Sequence, residues 1–141
     1  GYPGMKVLEL AFDSRDSGGP NYIPHNYPTH CVAYIGTHDN DTAAGWMTSA
    51  APGDVEEAVR YLNLTPEEGY HWGLMRGLWS SVAELTVVQA QDLLGLGSES
   101  RMNTPSTMGT NWQWRSLPGA FDDQLAQKLY RSMVRYGRIK E

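Results

Sequence analysis

The sequence predicts an α/β fold in which three short strands form a parallel sheet and helices pack against it. Nearly continuous apolar runs at residues 5–12, 31–35 and 85–90 are typical of strands that are buried on both faces of a parallel sheet. Segments with helical periodicity lie between the second and third strands and after the third. Polar side chains follow all three strands, where open parallel sheets and barrels both place their active sites.

The composition indicates one soluble globular domain and argues against two kinds of partner. With 141 residues, 40% of them hydrophobic, the chain is long enough for a real core. A net charge of -5 with scattered Lys and Arg argues against nucleic acid. No apolar run approaches the roughly 20 residues needed to cross a bilayer, so no membrane partner is expected. Gly1 runs almost directly into the first apolar stretch, which suggests a piece of a longer protein.

The first two strands are predicted from their apolar runs and from the breakers that follow them. "MKVLELAF" gives a strand of about eight residues that ends at the carboxylate of Asp13. After a proline-rich and asparagine-rich loop, "CVAYI" gives the second strand. Its single cysteine, Cys31, is expected to be a buried, reduced thiol.

Three helices are predicted in the remainder of the chain, over residues 54–62, 66–84 and 122–137. The second follows an N-cap and capping box that begin at Thr65. Its apolar side chains recur at helical spacing and should face the sheet as packing residues: Trp72, Met75, Trp79 and Val82. The third has acidic residues at its start and a C-cap candidate in Gly137. Its apolar face consists of Leu125, Leu129, Met133 and Tyr136.

The third strand, "LTVVQA", is followed by polar residues, as the other two are. If the carboxyl ends of the strands meet at one edge, a single mouth would collect the following side chains: Asp13, His38, Asp39, Gln91 and Asp92.

The cluster "THDND" after the second strand allows three interpretations. His38, Asp39 and Asp41, with other histidines nearby, could hold a metal, but the cluster lacks a ligand pair at helical spacing and no cysteine assists. Asp39 or Asp41 could cap a helix that begins near Thr42, and Asp41 suits that role better.

The third interpretation is sugar chemistry. Cleavage of a glycosidic bond passes through an oxocarbenium-like transition state, so a site needs an acid, a nucleophile or base, and groups that hold the ring hydroxyls. A His-Asp pair at a strand end suits the last role, because its hydrogen bonds strengthen as positive charge builds on the ring. Tyr34, Trp46 and Trp112 offer apolar faces for sugar rings.

Five blocks in order resemble the C-terminal part of the amylomaltases, or disproportionating enzymes, the 4-alpha-glucanotransferases of the alpha-amylase clan. They are "GYPGMKVLELAF", "YIPHNYP", "YIGTHDNDTAAGW", "QDLLGLGSESRMNTPS" and "NWQWR". The resemblance covers essentially all of residues 1–141 and implies the last three β/α units, strands six to eight, of a (β/α)8 barrel, with no separate second domain. It implies bacterial cytoplasm as the location, or the plastid in a plant.

The resemblance also implies roles for three residues. Asp39 matches the catalytic carboxylate that binds ring hydroxyls and stabilises the transition state. His38 matches a histidine that binds the same sugar, and Asn103 falls in the loop that lines the donor and acceptor groove. The family loop often has glycine at the positions of Ser106 and Thr110, so the resemblance does not fix the backbone there. No metal and no cofactor are implied.

The implied partners are an alpha-1,4-glucan or maltooligosaccharide donor, a sugar acceptor and the upstream part of the barrel. The family's nucleophile and acid/base segments, "RIDH"-like and "AEDLG"-like, do not occur in this sequence. We therefore expect this chain to be inactive alone and to self-associate through open strand edges. The alternative hypothesis is a non-catalytic carbohydrate-binding or assembly module. Hydrolysis is a third hypothesis, because water and sugar compete for the same glycosyl-enzyme intermediate.

Overall fold

Three short parallel strands form the sheet. The computed structural model describes residues 2–15 and 18–139. Strands β1 (Gly4–Val7), β2 (Cys31–Tyr34) and β3 (Leu85–Val87) lie in the order β1-β2-β3, all parallel. The predicted α/β class and the parallel pairing are confirmed, and the carboxyl ends of the strands meet at one edge.

The helices vary from single turns to 13 residues. The six α-helical segments of the described residues are α1 (Leu8–Ala11), α2 (Ala43–Ser49), α3 (Pro52–Leu62), α4 (Tyr70–Trp79), α5 (Ala90–Leu93) and α6 (Asp123–Arg135). Single 3-10 turns occur at Gly19–Asn21, Pro24–Asn26 and Ser98–Ser100. None of the helices in the described part of the chain is long and apolar enough to cross a membrane.

The first strand is half as long as predicted. It ends at Val7, and the chain turns at once into the single helical turn α1, so a strand over residues 5–12 is wrong. The amide N–H of Glu9 donates to the carbonyl of Ile35 at 3.0 Å, which holds this turn against the end of β2. The polar residue that follows β1 directly is therefore Glu9, whereas Asp13 lies beyond the turn.

The apolar runs predicted a sheet that is buried on both faces, and this prediction is wrong for the two outer strands. Met5 of β1 is 57% exposed and Leu85 of β3 is 52% exposed. Only β2, between the other two strands, has alternate residues fully buried, at Cys31 and Ala33. Apolar side chains of the two outer strands therefore face solvent in this chain.

The core is formed by the central strand together with helices α1, α2, α3 and α4. Its fully buried members include Leu8, Cys31, Ala33, Ala43, Ala58, Met75 and Leu78. The packing role predicted for the tryptophans of α4 is confirmed, because Trp72 and Trp79 are buried with their rings edge to face, centroids 5.4 Å apart. Val82 lies beyond the helix and is exposed, contrary to its predicted core position.

Helix α4 begins four residues later than predicted. Thr65 does accept a hydrogen bond from the amide of Glu68, but this closes an isolated turn. The chain then passes through Gly69, whose φ of 92° lies in a region that favours glycine, and the helix begins at Tyr70. Glu68 instead pairs with Arg76 of α4 at 2.8 Å.

The last helix starts with acidic residues and is followed by Gly137, as the sequence predicts, and the structure adds Asp122 as its N-cap. The carboxylate of Asp122 accepts from the amide of Leu125 at 2.9 Å, and Gly137 follows the helix with φ 69°. Arg138 then reaches back to the end of α4, where its guanidinium donates to the carbonyls of Trp79 (3.0 Å), Ser81 (3.0 Å) and Ala83 (2.6 Å). These bonds fasten α6 to the rest of the fold.

Replacing Arg138 with alanine should lower the free energy of unfolding by about 2 kcal/mol, because several carbonyls at the end of α4 lose a charged donor. Arg131→Ala, at an exposed position of α6, is the matched control and should change the stability by less than about 0.5 kcal/mol. Urea unfolding of both variants checks this. Equal midpoints for the two variants would contradict the role given to Arg138.

Candidate functional site

The turn after β2 is held by its own side chains. The carboxamide oxygen of Asn40 accepts from both the amide and the hydroxyl of Thr37, at 2.9 Å each. The amide of Asp39 donates to Thr37 Oγ1 at 3.3 Å. Residues 36–40 therefore form a compact turn at the carboxyl end of the sheet, and the side chains of His38 and Asp39 project from it.

The structure brings the three predicted site residues together. Asn103 Nδ2 donates to Asp39 Oδ1 at 2.7 Å, and His38 Nε2 lies 3.3 Å from Asp39 Oδ2. The side chains of His38 and Asp39 are 55% and 50% exposed. The Asp39 carboxylate is thus oriented on both oxygens and remains open to an incoming group.

Arg101 joins the two loops that carry these residues. Its Nη2 donates to the Asp39 carbonyl at 2.7 Å and its Nε to the Asn103 carbonyl at 2.8 Å. Arg101 was not predicted as a site residue from the sequence. The available signal was its position two residues before Asn103, in a loop expected to approach the turn.

Trp112 supplies an aromatic surface beside the carboxylate. Its ring lies 4.9 Å from the His38 ring, centroid to centroid, and it is 59% exposed. Ser106 and Trp112 both have φ of 64°, in the left-handed region. Ser106 thus adopts, in one of the positions where the similar family often has glycine, a conformation that glycine favours.

The other two aromatic candidates have different surroundings. Trp46 packs against the core, with its ring 6.2 Å from that of Phe12. Tyr34 is the last residue of β2 and pairs with Val7 and Val87. Trp112 is therefore the candidate for a sugar platform that lies next to Asp39.

Asp41 ties elements together but is not the helix cap. Thr42 is the N-cap of α2, and its hydroxyl accepts from the amide of Gly45 at 3.1 Å. Asp41 Oδ2 instead accepts from the hydroxyls of Ser49 and Ser98, at 2.8 Å each. The prediction that Asp41 caps the helix is wrong in detail, although its carboxylate does serve the helix and the neighbouring loop.

Gln91 and Asp92 lie beneath the mouth and do not line it. Both are buried; Asp92 Oδ1 accepts from the amide of Ala43 at 2.8 Å, and Gln91 Nε2 donates to the Ser100 carbonyl at 3.2 Å. Asp13 does not join them: its carboxylate forms an ion pair with Arg15 at 2.9 Å. The predicted convergence of strand-end polar groups thus leaves His38 and Asp39 as the accessible pair.

A buried carboxyl that the sequence analysis missed lies directly under the turn. Glu9 is 5% exposed, and burial, followed by the charges of Asp92 and Asp41, raises its pKa well above the ordinary value, while Arg101 opposes the rise. The signal was a lone charge inside the run "VLELAF", which is unusual for a buried strand. Burial also raises the pKa of Asp92 to about 6, against the lowering effect of its bond from Ala43.

The buried carboxyl of Asp92 should make stability fall as pH rises. Its folded pKa of about 6 lies above the ordinary aspartate value of 3.8, so stability present below pH 3.8 is lost between that pH and 6. Asp92→Asn has no carboxyl to ionise at this position. Its free energy of unfolding relative to wild type should therefore rise by about 3 kcal/mol between pH 3.8 and 6.

Urea unfolding at pH 3.5, 5 and 7 measures this difference. Asp13→Asn is the matched control with the opposite sign, because Arg15 lowers the pKa of Asp13 and the ion pair stabilises the folded state at higher pH. A pH-independent difference for Asp92→Asn would contradict the assignment.

Metal binding has no support from side-chain clustering. Among residues 2–15 and 18–139, no group of three or more His, Cys, Asp or Glu is arranged to hold a metal ion. His25 Nδ1 lies 2.8 Å from the Tyr61 hydroxyl and His30 Nδ1 lies 2.6 Å from Glu84 Oε2, so neither histidine joins the His38 cluster. What the mouth offers chemically is a fixed, accessible carboxylate with an imidazole, a carboxamide and an indole beside it.

Comparison with known proteins identifies the family. A family model described as 4-alpha-glucanotransferase matches residues 1–119. The chain is 51% identical to the 4-alpha-glucanotransferase of Clostridium butyricum over 141 residues, which is 99% of this chain and 28% of that protein. It is 44% identical to the chloroplastic/amyloplastic enzyme of Solanum tuberosum, over 97% of this chain and 24% of that protein.

A solved structure gives the same result. The fold matches an amylomaltase from Streptococcus agalactiae in complex with acarbose, with a TM-score of 0.89 and 34% sequence identity, over 96% of this chain and 27% of that one. The chain therefore spans about a quarter of the length of the relatives it matches. The match to the family model over most of the chain shows that this protein belongs to the 4-alpha-glucanotransferase family.

Proposed function

We propose that residues 1–141 are the part of a 4-alpha-glucanotransferase that carries its transition-state-stabilising carboxylate, Asp39. The complete enzyme transfers alpha-1,4-glucan segments to another sugar through a covalent glycosyl-enzyme with retention of configuration. The supporting observation is the Asp39 carboxylate, which is half-exposed at the carboxyl end of β2 and oriented by Asn103. Family membership supports the same reaction.

The role of Asp39 follows from where charge develops. As the glycosidic bond breaks, positive charge grows on the sugar ring, and a carboxylate that accepts ring hydroxyls binds this state more tightly than the ground state. The bond from Asn103 Nδ2 at 2.7 Å fixes the carboxylate before the reaction, so little reorganisation is needed when charge appears. We assign His38 and Asn103 to sugar binding, with the exposed Trp112 face stacking beside them.

The remaining catalytic groups belong, in this proposal, to upstream strands. The three strands are then the sixth to eighth of a (β/α)8 barrel, and residues 1–141 form one portion of that barrel. The exposed Met5 and Leu85 support this arrangement, because upstream strands and their helices would cover apolar surface that otherwise faces water. The 141-residue chain alone is inactive, since a retaining mechanism needs a nucleophile and an acid/base as well.

The exposed sheet residues Met5 and Leu85 also favour a second candidate function. A binding or assembly module would use Asp39, His38 and Trp112 to hold a glucan without cleaving it, and the open strands to pair with another chain.

By family membership the location would be the bacterial cytoplasm, or the plastid in a plant.

Chain-length analysis of products from maltotriose tests the proposal. The complete chain that contains these residues should convert maltotriose into glucose and longer maltooligosaccharides, and labelled glucose added as acceptor should appear in the products. Glucose and maltose without longer products would indicate hydrolysis. Binding of maltooligosaccharide without any product would favour the binding module.

A further inference from the structure

The Glu9 side chain lies against the underside of the turn that carries Asp39. The Glu9 amide is bonded to Ile35, the residue that precedes Gly36, at 3.0 Å. A Cβ added to Gly36 would overlap Glu9 Oε2 and would lie 3.0 Å from Glu9 Cδ and 3.1 Å from the Cβ of Asn40. The carboxyl of Glu9 therefore fills the space that a side chain at position 36 would occupy.

This carboxyl is buried in a place that disfavours its charge. Glu9 is 5% exposed, and its Oε1 has no hydrogen-bond partner among the residues that the structure describes. Two acidic neighbours face it, Asp41 from the loop after β2 and Asp92 from α5. One cation opposes them, Arg101, and its guanidinium is engaged with the carbonyls of the two site loops.

We propose that Glu9 is a positioning residue, a neutral carboxyl group that supports the Gly36–Asn40 turn from below and so fixes Asp39 for the reaction. This inference rests on the proposed function, because it concerns the group that stabilises the transition state. Burial and the carboxylates of Asp92 and Asp41 raise the pKa of Glu9, which agrees with the neutral form. Ionised, the same group would be repelled by the carboxylates of Asp92 and Asp41 while it lies against the turn.

Kinetics of Glu9→Gln and Glu9→Ala in the complete enzyme test the role in positioning. Glutamine has the shape of the neutral acid, so we expect kcat for maltotriose within about twofold of wild type at pH 6.5. Alanine leaves the turn unsupported and should lower kcat by at least about tenfold with little change in KM, since small misplacements of a catalytic group have large effects. Glu57→Gln, at an exposed position of α3, is the control.

The pH profile separates a neutral from an ionised carboxyl. Wild-type kcat should fall at the alkaline side as Glu9 ionises, and Glu9→Gln should lack that component of the fall. Loss of activity in Glu9→Gln as large as in Glu9→Ala would overturn the proposal, because it would mean that the carboxylate is required. Wild-type activity in both variants would overturn it too.

A stability measurement keeps this test distinct from that of the proposed function. The folded protein should hold the Glu9 proton more tightly than the unfolded chain, so the Tm of Glu9→Gln relative to wild type should rise as pH increases above 4.5, the ordinary pKa of a glutamate. A Tm difference that does not change with pH would overturn the assignment of a neutral carboxyl to Glu9. If the wild-type enzyme showed no glucan transfer, the proposed function would be refuted. The pH dependence of the Tm difference would still show whether the Glu9 carboxyl is neutral.

Discussion

Asp39→Asn should reduce glucan transfer by the complete enzyme by about 10²-fold to 10³-fold in kcat. Asparagine keeps an oxygen that can accept the bond from Asn103 Nδ2, so the turn should retain its geometry. What is lost is the negative charge that, in the proposed function, stabilises the oxocarbenium-like transition state, and removal of one such group typically has an effect of this size. Initial rates of maltotriose conversion measure it.

Asp13→Asn is the matched control for this change. Asp13 is a carboxylate on the same chain that pairs with Arg15, away from the His38 and Asn103 cluster, and its replacement should leave kcat within about twofold. An unchanged KM for Asp39→Asn would show that the lost interaction is made in the transition state and not in the bound substrate. A kcat close to wild type for Asp39→Asn would contradict the role assigned to this carboxylate.

Gly36→Ala should damage both stability and activity. The added methyl group would overlap the buried Glu9 carboxyl and press on Asn40, so either the Glu9 side chain or the turn must shift. Overpacking of this kind costs about 1–3 kcal/mol. Because Asp39 lies in the same turn, displacement by even about 1 Å would lower kcat by about 10²-fold.

Gly53→Ala provides the comparison at an open position. A Cβ there meets nothing within 4 Å, and the residue lies in the first turn of α3. Alanine should leave stability unchanged or raise it by up to about 1 kcal/mol, because glycine is the poorer helix former. Urea unfolding and maltotriose kinetics on both variants check the pair; equal behaviour of Gly36→Ala and Gly53→Ala would show that Gly36 is not confined.

The sequence predicted the parts of the fold whose pattern is local. The apolar run of β2, the acidic start of α6 with Gly137 after its end, and the parallel order of the strands are confirmed because each depends on neighbouring residues or on simple alternation of elements. The eight-residue first strand was wrong because the hydrophobicity of "MKVLELAF" does not distinguish a strand from a strand followed by a helical turn.

The candidate site also contains residues that could be predicted from the sequence and residues that could not. His38, Asp39 and Asn103 were predicted as site residues from motif and resemblance, and the structure places their side chains together. Arg101 and Glu9 were missed because their roles depend on contacts with residues far away in sequence, which the local signals at these two positions do not reveal. Arg101 reaches the Asp39 carbonyl across 62 positions, and no local pattern records such a contact.

Maltotriose disproportionation by three samples under one set of conditions tests most directly whether Asp39 acts together with upstream strands. These are the 141-residue chain alone, the same chain with the upstream strands supplied, and that mixture with Asp39→Asn. We expect longer maltooligosaccharides from the second sample, formation that is slower by about 10²-fold to 10³-fold in the third, and none from the first. Transfer by the 141-residue chain alone, or equal transfer with and without the Asp39 carboxylate, would contradict this expectation.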